Sequence, residues 1–459
     1  MIRCKENLSK EYLLSLYKSF GTTNQSIGLE YERLPIYTSD NSTVSYYGEL
    51  GVCDILKEFA RIDNWDYILD DNEIIGLKKI HDSITLEPGS QVELSLPPQK
   101  SVSEIEQKLN VINSELIPLF EKYGIKLLNY GIYPLTTYKN INIIPKKRYK
   151  LMANYLWGIL SDVMMRETAG IQVNLDYKDE QDAIRKFNLA NKMSPFMTSM
   201  FANSNIRGGV NTGYKTFRSL AWLNTDNERC GFATKFNKNM TFEDYLNTLL
   251  SVPMIFIKRD NEYINIDGKI NFKTFMDKGY SGYTATLDDF LLHSNLFFPE
   301  VRLRKYIEIR NHDCCDEKYM YSLLAIYKGI FYNDQAMLTV EDLLSKLTIN
   351  DITEFRYNIP RTALETIIKG VKANDITSKI IDIAHDSLKS TNDEDIKYLE
   401  PISILNKQGK TPCDYYITSL WGTKWRGNPE INCSVCLVGS FGRCTPFEWQ
   451  TGTVIQSVL

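Results

Sequence analysis

Five short runs alternate apolar residues with carboxylates, amides and guanidinium groups. In 27–34, Glu30 and Glu32 stand opposite Ile27, Leu29 and Tyr31; in 91–96, Gln91, Glu93 and Ser95 oppose Val92, Leu94 and Leu96. In 171–176, Gln172, Asn174 and Asp176 oppose Ile171, Val173 and Leu175. Residues 217–224 set Arg218, Leu220, Trp222 and Asn224 together, and 304–310 set Arg304, Tyr306, Glu308 and Arg310 opposite Lys305, Ile307 and Ile309. Glu87 lies in the segment entering the second run. A period of two predicts strands. Any one polar face alone fits the wet side of an antiparallel sheet. Together, however, these faces are rich in Glu, Gln, Asn and Arg and poor in Lys, which suits coordination better than solvation. If the strands share a sheet, Glu30, Glu32, Glu93 and Glu308 converge, and their repulsion calls for divalent cations or arginines between them. Carboxylate and amide oxygens suit Mg2+ or Mn2+, and a magnesium ion shares its shell with substrate phosphates, so the pattern points to a nucleotide.

Other chemistries find less support. The four histidines, His81, His293, His312 and His385, form no HExxH motif, and no GxSxG elbow accompanies them. Segment 208–216, GGVNTGYKT, nearly spells a phosphate-binding loop, but Tyr214 separates Gly213 from Lys215 and the loop is expected to precede a strand. ATP, if bound, is then held by the sheet. Cys413, Cys433, Cys436 and Cys444 could supply four zinc thiolates, but only one CxxC pair is present, so ordinary thiols are the better reading.

The elements that must carry these faces are also legible. A helix is expected over 103–123, with Ile105, Leu109, Ile112, Leu116 and Leu119 on one face, Pro118 kinking its last turns and Gly124 as a stop. A second follows Tyr177, with Ile184, Phe187 and Ala190 inward and Pro195 after its end. Residues 338–400 read as a helical subdomain (EDLLSKL, RTALETIIKGV, SKIIDIAHDSL), and 411–459 as a C-terminal segment. No repeat or linker divides the 459 residues, which favours a single catalytic domain, monomeric or homodimeric. With 43% hydrophobic residues and 24% charged, the chain is globular rather than disordered. The net charge of −4 is spread without basic blocks, so neither nucleic acid nor a membrane surface is expected as a partner. Charges interrupt the first thirty residues every few positions, and the nine cysteines are odd in number; both favour a cytoplasmic protein with reduced thiols.

The segments IGLEYERL, ITLEPGSQVELSLPP, MMRETAGIQVNLDY, FRSLAWLNTDNERCGF and LFFPEVRLRKYIEIRNHD, in this order, resemble the plant and bacterial glutamate–cysteine ligases. The similarity extends over about residues 25–420. It implies an α+β, glutamine-synthetase-like fold, a curved antiparallel sheet forming an active-site bowl backed by helices. It implies ATP and Mg2+ (or Mn2+) as cofactors, and glutamate and cysteine as substrates, joined through a γ-glutamyl phosphate in a step of glutathione biosynthesis. By motif, Glu30, Glu32, Glu87, Glu93 and Glu308 match the metal-binding carboxylates, with Gln172 at an amide position; Glu30, Glu93, Glu308 and Arg218 are the catalytic set. Arg166, Arg218 and Arg302 match arginines that hold substrate carboxylates and phosphate, and Met164, Gln172, Asn174 and Trp222 complete the substrate pocket. Arg304 and Arg310 fall on the nucleotide side, and His293 braces a loop. RETAGIQVN and NTDNERCG depart from the family pattern beside the substrate pocket. A same-fold ligase using a different amine in a specialised pathway is therefore the alternative. A non-catalytic binding protein is disfavoured, because five crowded acids are destabilising without a metal.

Overall fold

The computed structural model describes residues 8–48, 50–62, 64–232 and 239–415. Its centre is a sheet of nine strands: β1 (Ile27–Tyr37), β2 (Asp66–Asp70), β3 (Glu73–Lys79), β4 (Asp82–Leu86), β5 (Val92–Gln99), β6 (Ile125–Leu128), β7 (Gly170–Leu175), β8 (Val301–Leu303) and β9 (Ile307–Asp313). They run in the order β8-β9-β7-β1-β5-β4-β3-β2, with β6 on the far half of β1, and every neighbouring pair is antiparallel. The sheet is open, and helices back it, so the α+β expectation holds.

Register decides which side chains share a face, because residues directly opposite in an antiparallel pair point the same way. Glu30 pairs with Gln172 and with Ser95, Glu32 with Glu93, Glu93 with Thr85, Asn174 with Glu308, and Glu308 with Arg302. One polar face results. The alternate residues Leu29, Tyr31, Val92, Leu94, Val173, Ile307 and Ile309 are fully buried, each contributing about 1.5–3 kcal/mol. The helices Val102–Lys122 and Glu180–Met200 pack against this sheet.

Three local expectations change. Residues 217–224 form a helix, Phe217–Leu223, instead of a strand, capped by Thr216, whose hydroxyl accepts from the Ser219 N–H. Arg218 and Trp222 are four apart, so a strand would put them on one face but far apart, whereas the helix stacks them, with the guanidinium 5.8 Å from the indole ring. The glycine-rich 208–216 loop therefore does open a helix. Its lysine still serves no phosphate, since Lys215 pairs with Asp414. Pro195 lies inside Glu180–Met200 and does not follow it. The Asn191 carbonyl, deprived of its usual partner, accepts from the Ser194 hydroxyl at 3.2 Å, and burial of every residue from 193 to 200 outweighs the missing bond.

Helices Asp334–Leu343, Ile349–Thr362 and Ala373–Ser390 occupy most of the expected helical region. RTALETIIKGV is not helical throughout: Ile367–Ile368 and Val371–Lys372 make a hairpin, turned by Lys369 and Gly370 at φ 49° and 79°. Cys413 is a buried free thiol, and Cys433, Cys436 and Cys444 lie outside the described residues. Among the described residues no helix is long and apolar enough to cross a membrane.

Candidate functional site

The polar face of the sheet floors a cavity of about 310 Å³. Glu30, Glu32, Glu87, Glu93, Gln172, Arg302, Arg304, Glu308 and Arg310 reach it from the strands and turns, Met164 from the helix Ser161–Glu167, and Arg218 and Trp222 from Phe217–Leu223. Asn174 is one step removed, its Nδ2 donating to Glu30 Oε1 at 3.0 Å. Arg166 is not brought in. Its guanidinium pairs with Asp162 at 2.9 Å and donates to the carbonyls of Tyr138 and Ile141, because the helix Ser161–Glu167 turns Met164 inward and Arg166 aside. The Arg166 contribution is its backbone: a Cβ on Gly89 would stand 2.1 Å from the Arg166 carbonyl oxygen, so only glycine lets the β4–β5 turn approach so closely.

The carboxylates fall into two groups. Glu93 accepts from the Thr85 and Ser95 hydroxyls at 2.8 and 3.3 Å, Glu32 from the Gly170 N–H and from Gln172 Nε2 at 3.2 Å, and Glu87 from the Tyr149 hydroxyl at 3.0 Å. Among the described residues none of the three has a cation in contact. Burial and the Glu87 charge push Glu32 up to about 7; burial and the charges of Glu87, Glu30 and Glu32 push Glu93 well above the usual carboxylate range. Glu30 is raised by burial and by Glu308. Glu308 is the opposite case. Burial alone would raise it, yet Arg302, clasping both carboxylate oxygens, and Arg310 at 3.3 Å hold it down to about 2.

The arginines divide in the same way. Besides Glu308, Arg302 donates to the Phe297 carbonyl at 2.8 Å, so its donors are largely engaged. Arg304 bonds Asn295 at 2.6 Å. Arg310 donates to Gln172 Oε1 at 2.6 Å, and Arg218 to the Arg310 carbonyl at 3.0 Å. Yet Nε of Arg218, Nε of Arg310 and the indole N–H of Trp222 are buried without a hydrogen-bond partner. Orphaned buried donors are costly, and together these three suit an anionic ligand. Sequence patterning missed Arg148, Tyr149, Met152, Met165, Thr168, Asn295 and Phe298, which also line the cavity from helices, loops and the two-residue strand Phe298–Pro299, all without an alternating signature. His293 does brace: buried, it bonds the Leu249 carbonyl at 2.9 Å and stacks on Phe272.

The donor set fits a hard divalent cation, because half-buried carboxylates crowd here and, among the described residues, none of Glu32, Glu87 and Glu93 forms an ion pair. Among the described residues no three His, Cys, Asp or Glu side chains enclose a single point.

Residues 26–432 match glutamate-cysteine ligase family 2, and the chain belongs to this family. It is 32% identical over 435 residues to the chloroplastic glutamate–cysteine ligase A of Oryza sativa subsp. indica, covering 93% of this chain and 87% of that one. Against the chloroplastic glutamate–cysteine ligase of Arabidopsis thaliana the identity is 30% over 428 residues, covering 92% and 81%. The fold is similar to that of the glutamate–cysteine ligase from Francisella tularensis crystallised with AMP, with TM-score 0.55, 13% identity and coverage of 88% and 86%. These relatives overturn the cytoplasmic expectation. The plant ligases are named chloroplastic, so scattered charge and an odd cysteine count do not mark a cytosolic member of this family.

Proposed function

We propose that the bowl runs the family's ligation with the roles its geometry supports. As a member of this family the chain is an ATP-dependent ligase that forms γ-glutamylcysteine. A carboxylate is a poor electrophile, since its leaving group would be oxide. A γ-carboxylate oxygen of glutamate therefore attacks the terminal phosphorus of ATP, the bond to ADP breaks, and γ-glutamyl phosphate forms. The cysteine amine then attacks the acyl carbon; the bond to phosphate breaks, and the amine sheds a proton to solvent.

Glu30, Glu32, Glu87, Glu93 and the Gln172 amide would hold Mg2+, which screens the phosphate charges during transfer. Glu308, already neutralised by arginine, contributes chiefly by fixing Arg302 and Arg310 at the rim, with Arg304 and Arg310 on the nucleotide side. The guanidinium groups of Arg218 and Arg310, which line the cavity, receive the substrate carboxylates. Met164, Met165, Trp222 and Phe298 form the apolar wall for the cysteine side chain.

The observation that carries this reading is the convergence of uncompensated carboxylates and unpartnered arginine donors in one cavity. The test is to supply glutamate, ATP and Mg2+ with hydroxylamine in place of cysteine, using glutamate labelled with heavy oxygen in its γ-carboxyl. A γ-hydroxamate and labelled phosphate are expected. Unlabelled phosphate, or release of pyrophosphate, rules out the acyl phosphate.

A further inference from the structure

Glu30, Glu32, Glu93 and Glu308 sit on strands, where ladder bonds set the direction of each side chain, whereas Glu87 sits on the turn between β4 and β5. The turn backbone is well held. Glu87 N–H donates to the Gln91 carbonyl at 3.0 Å, Ser90 N–H to the Glu87 carbonyl at 3.0 Å, and the Gln91 amide to the Thr168 carbonyl at 2.9 Å. None of these contacts orients the Glu87 carboxylate. Among the described residues its one hydrogen-bond donor is Tyr149, which enters the cavity from the helix Lys147–Tyr155, far away in sequence.

A phenol hydroxyl has one proton and a choice of acceptors. Here the choice lies between Glu87 Oε1 at 3.0 Å and the Leu86 carbonyl at 3.4 Å. Lys146 Nζ approaches the same oxygen at 3.1 Å and lies 4.5 Å from the ring centroid, so it occupies an acceptor site of the hydroxyl and leaves the proton for Glu87. Tyr149 is 2% exposed, which keeps water from replacing it.

We propose that Tyr149, oriented by Lys146, is a positioning residue that aims Glu87 at a bound divalent cation and thereby sets the affinity of that cation. The proposal rests on the assignment of Glu87 as a metal ligand, and its test separates the two ideas. Mn2+ binding, read by electron paramagnetic resonance without substrates, and thermal unfolding are measured for the full chain and for Tyr149→Phe, Lys146→Met, Glu87→Gln and the double variant Tyr149→Phe/Glu87→Gln. Removing a hydrogen-bond partner behind a ligand weakens metal binding by about tenfold, which is the expectation for Tyr149→Phe, with a smaller loss in the same direction for Lys146→Met. The double variant should bind no more weakly than Glu87→Gln alone, since the hydroxyl acts through that carboxylate. If Glu87→Gln loses affinity while Tyr149→Phe retains it, the brace is wrong and the metal assignment stands. Unchanged binding in Glu87→Gln overturns the metal assignment, and the brace with it. Should Tyr149→Phe fail to fold, Lys146→Met keeps the ring and decides the matter, because undiminished Mn2+ affinity there overturns the proposal.

Discussion

Glu93 and Glu308 lie on the same face of one sheet, on either side of β1, yet their surroundings are electrostatic opposites. At the β4–β5 end, Glu32, Glu87 and Glu93 meet hydroxyl, amide and backbone donors but no cation, and Glu32 and Glu93 resist ionisation. At the β8–β9 end, Glu308 is 1% exposed and fully ionised because Arg302 and Arg310 enclose it. A carboxylate neutralised by its own chain acts as scaffold, whereas carboxylates that repel one another are the ones an added cation would stabilise. The bowl therefore sets an arginine-neutralised wall beside an acidic floor.

The largest effect should come from breaking the scaffold end. Arg302→Met leaves Glu308 buried without its main partner and should cost about 3–5 kcal/mol in denaturant unfolding. A loss under 1 kcal/mol would show that the pair is not structural. Next, at the acidic end, Glu93→Gln should lower turnover on the order of 100-fold while the metal-free protein unfolds at the same temperature or higher, since a carboxyl whose ionisation burial and its neighbours oppose is gone. Activity within a few-fold of the unaltered chain would remove Glu93 from the metal set. Smaller still, Arg218→Lys should raise the KM for the amino-acid substrate by about tenfold with kcat less affected, as lysine cannot reproduce a two-pronged carboxylate contact. An unchanged KM would place the substrate carboxylate elsewhere.

The finest test of the contrast is pH. Glu32 holds its proton up to about 7, above the ordinary 4.5, so the metal-free fold is favoured below 4.5–7 and loses stability as pH rises through that window. Glu308 works the other way: with its pKa held near 2, its contribution is complete above 4.5 and disappears as pH falls toward 2. Metal-free thermal midpoints should therefore fall between about pH 4.5 and 7, and Mg2+ should flatten that fall by supplying countercharge. A fall of equal size with and without Mg2+ would detach the acidic end from metal binding.

The four alternating runs that are strands or strand ends were legible because the two-residue period is a local property, and register then carried Glu30, Glu32, Glu93, Gln172 and Glu308 onto one face. The family motifs were legible for a related reason, since they surround those same strands. Residues 217–224 were misread because Arg218 and Trp222 share a face in both a strand and a helix, and only the Thr216 cap and the surrounding packing select the helix.

What the sequence alone determined is thus the inventory of the site: hard oxygen donors and guanidinium groups in alternation with a buried apolar face. What tertiary structure decided is the pairing within that inventory. Arg302 clasps Glu308, Arg166 faces Asp162 outside the cavity, and Tyr149 arrives beneath Glu87 from a helix more than sixty residues away. The first pair meets across the β8–β9 hairpin and the second lies within one helical turn, so the path of the backbone decides them, whereas the third joins segments distant in the chain. The energy of a buried charge is set by what stands within a few ångströms of it in space, and spacing along the chain carries no record of that.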